Sequence, residues 1–127
     1  MADVNRCNRP LSPHLQIYRP TLTMTMSALH RISGIALTAG CVIVVLWLFA
    51  AATSREAFAT VEWLMTSWLG GLVLLGSVVA LWYHALNGLR HLAWDAGWGL
   101  DIPTVERTGK YVLVGVGVLT LMTLILA

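Results

Sequence analysis

Charges are absent from three long stretches of this chain, and that absence constrains its fold more than any other feature. No Asp, Glu, Lys or Arg falls between Arg31 and Arg55, between Glu62 and Arg90, or after Lys110, which leaves charge-free runs of 23, 27 and 17 residues. A helix that crosses the hydrocarbon core of a bilayer needs ~20 apolar residues. Backbone N–H and C=O groups in lipid must be satisfied within the segment, so isolated apolar runs cross as helices. The sequence therefore predicts an all-α integral membrane protein with three transmembrane helices. The third run is short, and it extends back through Thr108 and Gly109 if the Lys110 stem lies along the helix and its ammonium reaches the interface. A composition 57% hydrophobic and only 11% charged is far from that of an ordinary soluble domain.

The expected organisation is one membrane domain over residues 1–127, with a cytoplasmic arm at 1–21, helix I at 22–52, helix II at 60–93 and helix III at 107–127. Pro10, Pro13 and Pro20 keep the arm extended or turning. Leu11, Leu15, Ile17 and Tyr18 give it more apolar content than a solvated tail, which favours docking to a partner. Thr53 to Glu62 reads as a short outer connection. Trp47, Trp63 and Trp68 suit the aromatic belt at the outer interface. The apolar span of helix III, Tyr111 to Ala127, holds no ionisable group beyond Tyr111 and reads as scaffold.

Bases orient the chain. Seven of the eight Lys and Arg residues fall in the N-terminal segment or the second connection, and Arg55 alone falls in the first connection. The positive-inside bias places the N-terminus in the cytoplasm and the C-terminus in the periplasm. With no apolar signal region and no Arg/Ser-rich transit segment at the start, a bacterial inner-membrane protein is the simpler expectation. The bases follow the membrane edges and do not cluster, so no nucleic-acid partner is expected. Cys7 is expected in the cytoplasm and Cys41 mid-membrane, so no disulfide is expected between them. Two cysteines do not hold a four-cysteine iron–sulfur cluster, and no GxGxxG or P-loop is present. Flavin or cluster chemistry must come from other chains.

Two stretches carry chemistry. The first helix opens with Ser27, His30, Arg31 and Ser33, a concentration of polar groups at the bilayer edge. Taken singly, Arg31 would be an interfacial anchor and Ser27 a cap or back-bonded hydroxyl; together they suggest a polar site. In the second helix His84 lies six residues before Arg90, ~9 Å deeper at ~1.5 Å per residue. An ionisable group at that depth implies function. Neutral imidazole is a common haem-iron ligand, and Gly88, one turn on, lets a flat macrocycle approach the backbone. His91 lies near the interface, with a propionate, a headgroup or water as its partner. Asp95 is placed to serve a proton path or simply to be solvated.

These residues resemble the cytochrome b membrane-anchor subunit of succinate dehydrogenase. The match runs from Arg9-Pro10-Leu11 through Leu15 and Leu22 to Ser27-Ala28-Leu29-His30-Arg31-Ile32-Ser33. It resumes at His84-x-x-x-Gly88-Leu89-Arg90-His91-Leu92-x-Trp94-Asp95-x-Gly97. The resemblance implies haem b on His84, shared with a second hydrophobic anchor subunit, with His30 near a propionate. It implies a ubiquinone site using Ser27 and Arg31, and soluble flavoprotein and iron–sulfur partner subunits that oxidise succinate. Quinol–fumarate reductase anchors are the nearest alternative, and a non-redox membrane scaffold is the alternative from another class.

Overall fold

The computed structural model describes residues 17–127. Cys7 and most of the expected docking arm therefore lie outside the described residues. The described chain forms four helices, α1 (Leu22–Thr53), α2 (Arg55–Thr66), α3 (Trp68–Asp95) and α4 (Ile102–Leu126). Three of them, α1, α3 and α4, are long and apolar enough to cross a membrane. This is the all-α, three-span architecture that the charge-free runs require.

Each helix begins at a side chain able to satisfy its free N–H groups. Thr21, Ser54, Ser67 and Asp101 accept from the backbone N–H of Met24, Ala57, Gly70 and Thr104 respectively. At the other end of α3 the chain closes in a Schellman motif. Gly97 N–H donates to the Trp94 carbonyl and Trp98 N–H to the Ala93 carbonyl, each at 2.9 Å. The motif needs a left-handed residue, and Gly97 supplies φ +80°.

Two boundaries differ from the sequence reading. The outer connection is itself helical: α2 occupies residues 55–66, and the second span starts at Trp68, not at residue 60. Ser54 and Ser67 sit in extended backbone and each caps the helix that follows, so these two residues set α2 off from the spans on either side. Gly70 permits the sharp second corner, since a Cβ there would collide with the Leu64 and Met65 carbonyls. The third span begins at Ile102, five residues earlier than expected, because Asp101 caps it and Pro103 fits its first turn.

Helix α3 is central and packs against both α1 and α4, while α1 and α4 touch over a smaller area. Glycines allow close approach on both sides. At Gly34 of α1 a Cβ would lie 3.0 Å from the His84 ring, and at Gly115 of α4 one would lie 2.9 Å from Leu86. The small buried core joins Met26, Tyr83, Val112 and Val116, with Trp82 and Leu86 against it. Trp82 Nε1–H donates to Thr123 Oγ1 at 2.9 Å and ties α3 to α4. Outward faces are apolar and exposed, including Ile32, Ile35, Leu48, Phe49, Leu72 and Val114. In water such faces would be untenable; lipid or partner helices are their natural solvent.

Candidate functional site

The polar side chains of the first and second spans meet at one end of the bundle, where α1 begins and α3 ends. The antiparallel register sets Met26 beside Arg90, His30 beside Gly88, and Gly34 beside His84. The His30 and His84 rings stack, with centroids 4.0 Å apart and planes 11° from parallel. His91 adds a third ring, 5.1 Å from His30, and meets the edge of Trp94 at 5.0 Å. His91, left without a defined partner by the sequence, thus belongs to a column of rings inside the bundle.

The chemistry of its neighbours assigns the His84 tautomer. His84 Nδ1 lies 3.1 Å from the His30 carbonyl and 3.1 Å from Ser33 Oγ. The carbonyl can only accept. The single Ser33 hydroxyl proton is already given to that same carbonyl at 2.8 Å, which leaves Ser33 as an acceptor too. Both partners therefore require a proton on Nδ1, and Nε2 carries the lone pair. Nε2 makes no hydrogen bond among the described residues. An imidazole held at Nδ1–H by a carbonyl, with Nε2 bare, is the form that binds a metal. No cluster of three or more His, Cys, Asp or Glu among the described residues is arranged to hold a metal ion. A single imidazole nitrogen instead suits iron that brings most of its ligands with it, as in a haem.

Ser27 is half-buried and Arg31 exposed on α1, one turn apart. Neither side chain hydrogen-bonds to His30, His84 or any other described residue, so the fold brings the histidines together and leaves the Ser27–Arg31 pair beside them, open to the outside. Asp95, the last residue of α3, is likewise exposed.

Arg90 differs most from its sequence reading. The sequence groups it with the bases of the second connection, yet it lies on α3 and is only 7% exposed. Its Nε donates to Thr108 Oγ1 at 3.1 Å, Nη1 to Asn87 Oδ1 at 3.3 Å and Nη2 to the Val105 carbonyl at 2.8 Å. The guanidinium also sits 4.1 Å from the centre of the Trp94 ring. These acceptors and the ring face replace water, so the cation is accommodated without a carboxylate. Beside it Asn87 is wholly buried, and Tyr83 donates to the Met26 carbonyl at 2.7 Å. The sequence reading did not single out Asn87 or Tyr83. The available signal was an amide three residues before an arginine in an otherwise apolar helix.

Fold and site together define a class: a multi-pass helical membrane protein that presents a metal-competent imidazole between two of its spans. The chain belongs to the family described as succinate dehydrogenase/fumarate reductase transmembrane subunit, whose model matches residues 5–124. It is 54% identical over 125 residues to the succinate dehydrogenase cytochrome b556 subunit of Paracoccus denitrificans, covering 98% of this chain and 96% of that one. It is also 39% identical to the succinate dehydrogenase cytochrome b560 subunit of Reclinomonas americana, over 88% of this chain and 81% of that one. With the cytochrome b556 subunit of Rickettsia conorii it shares 38% identity, over 90% of this chain and 89% of that one.

Proposed function

We propose that this chain is the haem-binding membrane-anchor subunit of a succinate:quinone oxidoreductase, passing electrons from soluble partner subunits to ubiquinone in the membrane. The single observation that carries the reading is the His84 tautomer: Nδ1–H committed to the His30 carbonyl and Ser33, Nε2 left bare within the bundle. The family and the cytochrome b naming of the relatives supply the context.

His84 would hold the iron of a haem b through its Nε2 lone pair, with a second hydrophobic anchor subunit sharing the group. When bound, the haem supplies a one-electron carrier and braces the helices that hold it. Gly34 and Gly88 keep side-chain bulk away from the two stacked imidazoles. His30 lies beside His84 on the same face and contributes to cofactor binding.

Quinone binds at the Ser27–Arg31 edge. The Ser27 hydroxyl donates a hydrogen bond to one quinone carbonyl. Arg31, a permanent cation, favours negative charge on quinone oxygen as electrons arrive, and so lowers the barrier to reduction. Its exposure on α1 fits a substrate that enters from the membrane. Two protons are taken from the cytoplasmic side, where Asp95 is available. Flavin and iron–sulfur chemistry reside in the two soluble subunits. A quinol–fumarate reductase would use the same anchor, with direction set by cofactor potentials in the other chains.

The experiment is a reduced-minus-oxidised optical spectrum of the purified complex and of its His84→Ala and Arg31→Leu variants. The native complex shows a b-type signal and contains two large soluble subunits and one further small hydrophobic one. His84→Ala loses the signal; an unchanged spectrum removes His84 as ligand. Arg31→Leu keeps succinate oxidation by a soluble dye and loses quinone reduction; retained quinone reduction removes Arg31 from its role. A colourless intact native preparation would leave a non-redox scaffold as the reading.

A further inference from the structure

Helix α2 takes no part in the chemistry at the histidine end of the bundle, yet its surface asks for a partner. None of its 12 residues is buried within the chain. Trp63 and Leu64 are 72% and 54% exposed, and Trp68, just past its end, is 79% exposed. The helix does not stand out from the bundle into water. Phe58 stacks on Trp47, with ring centroids 6.3 Å apart and planes 11° from parallel. Trp47 lies well before the corner at Ser54, ~10 Å down α1 at ~1.5 Å per residue. Met65, near the other end of α2, lines a groove of about 380 Å³ with Val44 of α1 and with Val73 and Leu74 of α3. Both ends of α2 thus fold back onto the apolar turns of the spans. The headgroup region is only ~5–7 Å thick on each side of the hydrocarbon, so a helix folded back this far lies at the bilayer interface.

The sides of α2 suit that depth. Phe58, Val61 and Met65, at i, i+3 and i+7, are half-buried against the bundle. Arg55, Ala59, Glu62 and Thr66 run along one edge beside them, and Ala57, Thr60 and Leu64 along the other. Trp63 and Glu56 lie on the face turned away from the bundle. One edge carries charge of both signs and the other carries none. Helices that lie in the interface plane divide their surface in this way, and tryptophan favours the headgroup level. The exposed apolar surface of the spans also continues onto α2, through Phe49 of α1 and Leu69 and Leu72 of α3. We propose that α2 is an interfacial helix whose partner is phospholipid at the end of the bundle opposite the histidines. Leu64 and Ala57 meet acyl chains, Trp63 and Trp68 sit among headgroups, and the Arg55–Glu62 edge faces water. The connection between the first two spans is then part of the membrane-embedded surface and a stop that sets the depth of the bundle. This rests on the three-span architecture and not on the haem or quinone site.

Photocrosslinking of the whole complex in phosphatidylcholine vesicles tests this. Benzoylphenylalanine replaces Leu64 in one preparation, Glu62 in a second and Leu72 in a third, where exposure on α3 sets the scale for lipid contact. After illumination, mass spectrometry of the subunit counts phospholipid adducts. The Leu64 probe should give adducts at a level comparable with Leu72 and several-fold above Glu62. Adducts at Leu64 no more frequent than at Glu62 overturn the proposal, because the two edges of α2 then meet the same surroundings. Capture of another subunit by the Leu64 probe in place of lipid overturns it as well. If the Leu64 probe prevents assembly, the unmodified complex decides, in vesicles of a phospholipid with a diazirine in its acyl chain. Lipid adducts within residues 57–64 uphold the proposal, and their absence beside adducts on α1 and α3 overturns it.

Discussion

The His84 ring is governed by neighbours on another helix. Ser33 and the His30 carbonyl hold its Nδ1, and Gly34 leaves it room. Removing a group that orients a metal-binding histidine typically lowers metal affinity ~10–100-fold. On the proposed ligation by His84, Ser33→Ala should weaken haem retention by about that factor, read as haem per protein after washing in detergent. Gly34→Val should do more, because the Cβ position already lies 3.0 Å from the ring and the added methyls must displace it. Arg90 poses a different problem. Arg90→Met leaves the buried Asn87 oxygen without its donor and takes one of two side-chain donors from the Val105 carbonyl. At ~1–3 kcal/mol for each buried unpaired group, the assembled protein should melt markedly lower. An unchanged melting curve would show that water reaches the site freely.

Single backbone positions decide where the helices turn. Gly97 closes α3 in the left-handed region, which costs other residues ~1–2 kcal/mol. Gly97→Ala should destabilise the end of α3 by about that amount, seen as faster amide exchange at Gly97 and Trp98. At the start of α4, hydrogen bonds from Thr104, hydroxyl first and amide second, hold the Asp101 carboxyl below the usual carboxylate range. A carboxylate with a lowered pKa stabilises the folded state fully above its unfolded pKa, and this contribution is lost as pH falls through the folded value. Exchange at the Thr104 amide should therefore accelerate in acid, and Asp101→Asn should remove most of that dependence. Helix α2 shows the same local control: two serines and Gly70 convert an expected loop into a capped helix with tight corners.

Viewed whole, the bundle is sparsely self-packed. Only 6% of the most apolar stretch of α1 is buried within the chain, against 17% for α4. The remaining surface must face lipid or other helices, in keeping with a subunit that completes its packing only in a larger membrane assembly. The positive-inside rule, applied to the bases, proposes the orientation of that assembly, with the N-terminus in the cytoplasm. Alkaline phosphatase fused after Ala127 should be active in the periplasm, and the same enzyme fused after Trp98 should be inactive. The reverse pattern would invert the orientation and place the histidine column at the other face.

Number and class of the spans, the placing of Ser27, His30, Arg31 and His84 towards the same end of the bundle, and the family itself were legible in the amino-acid order. The reason is that hydrocarbon thickness and the cost of charge act on each segment locally, whatever its neighbours do. Tertiary structure alone decided what meets across helices. Arg90 looked like a surface base until Val105, Thr108, Asn87 and Trp94 enclosed it. Ser33 gained its role only once close packing at Gly34 set the register of α1 on α3. A hydrogen bond between residues 51 apart depends on that register, and no local pattern encodes it.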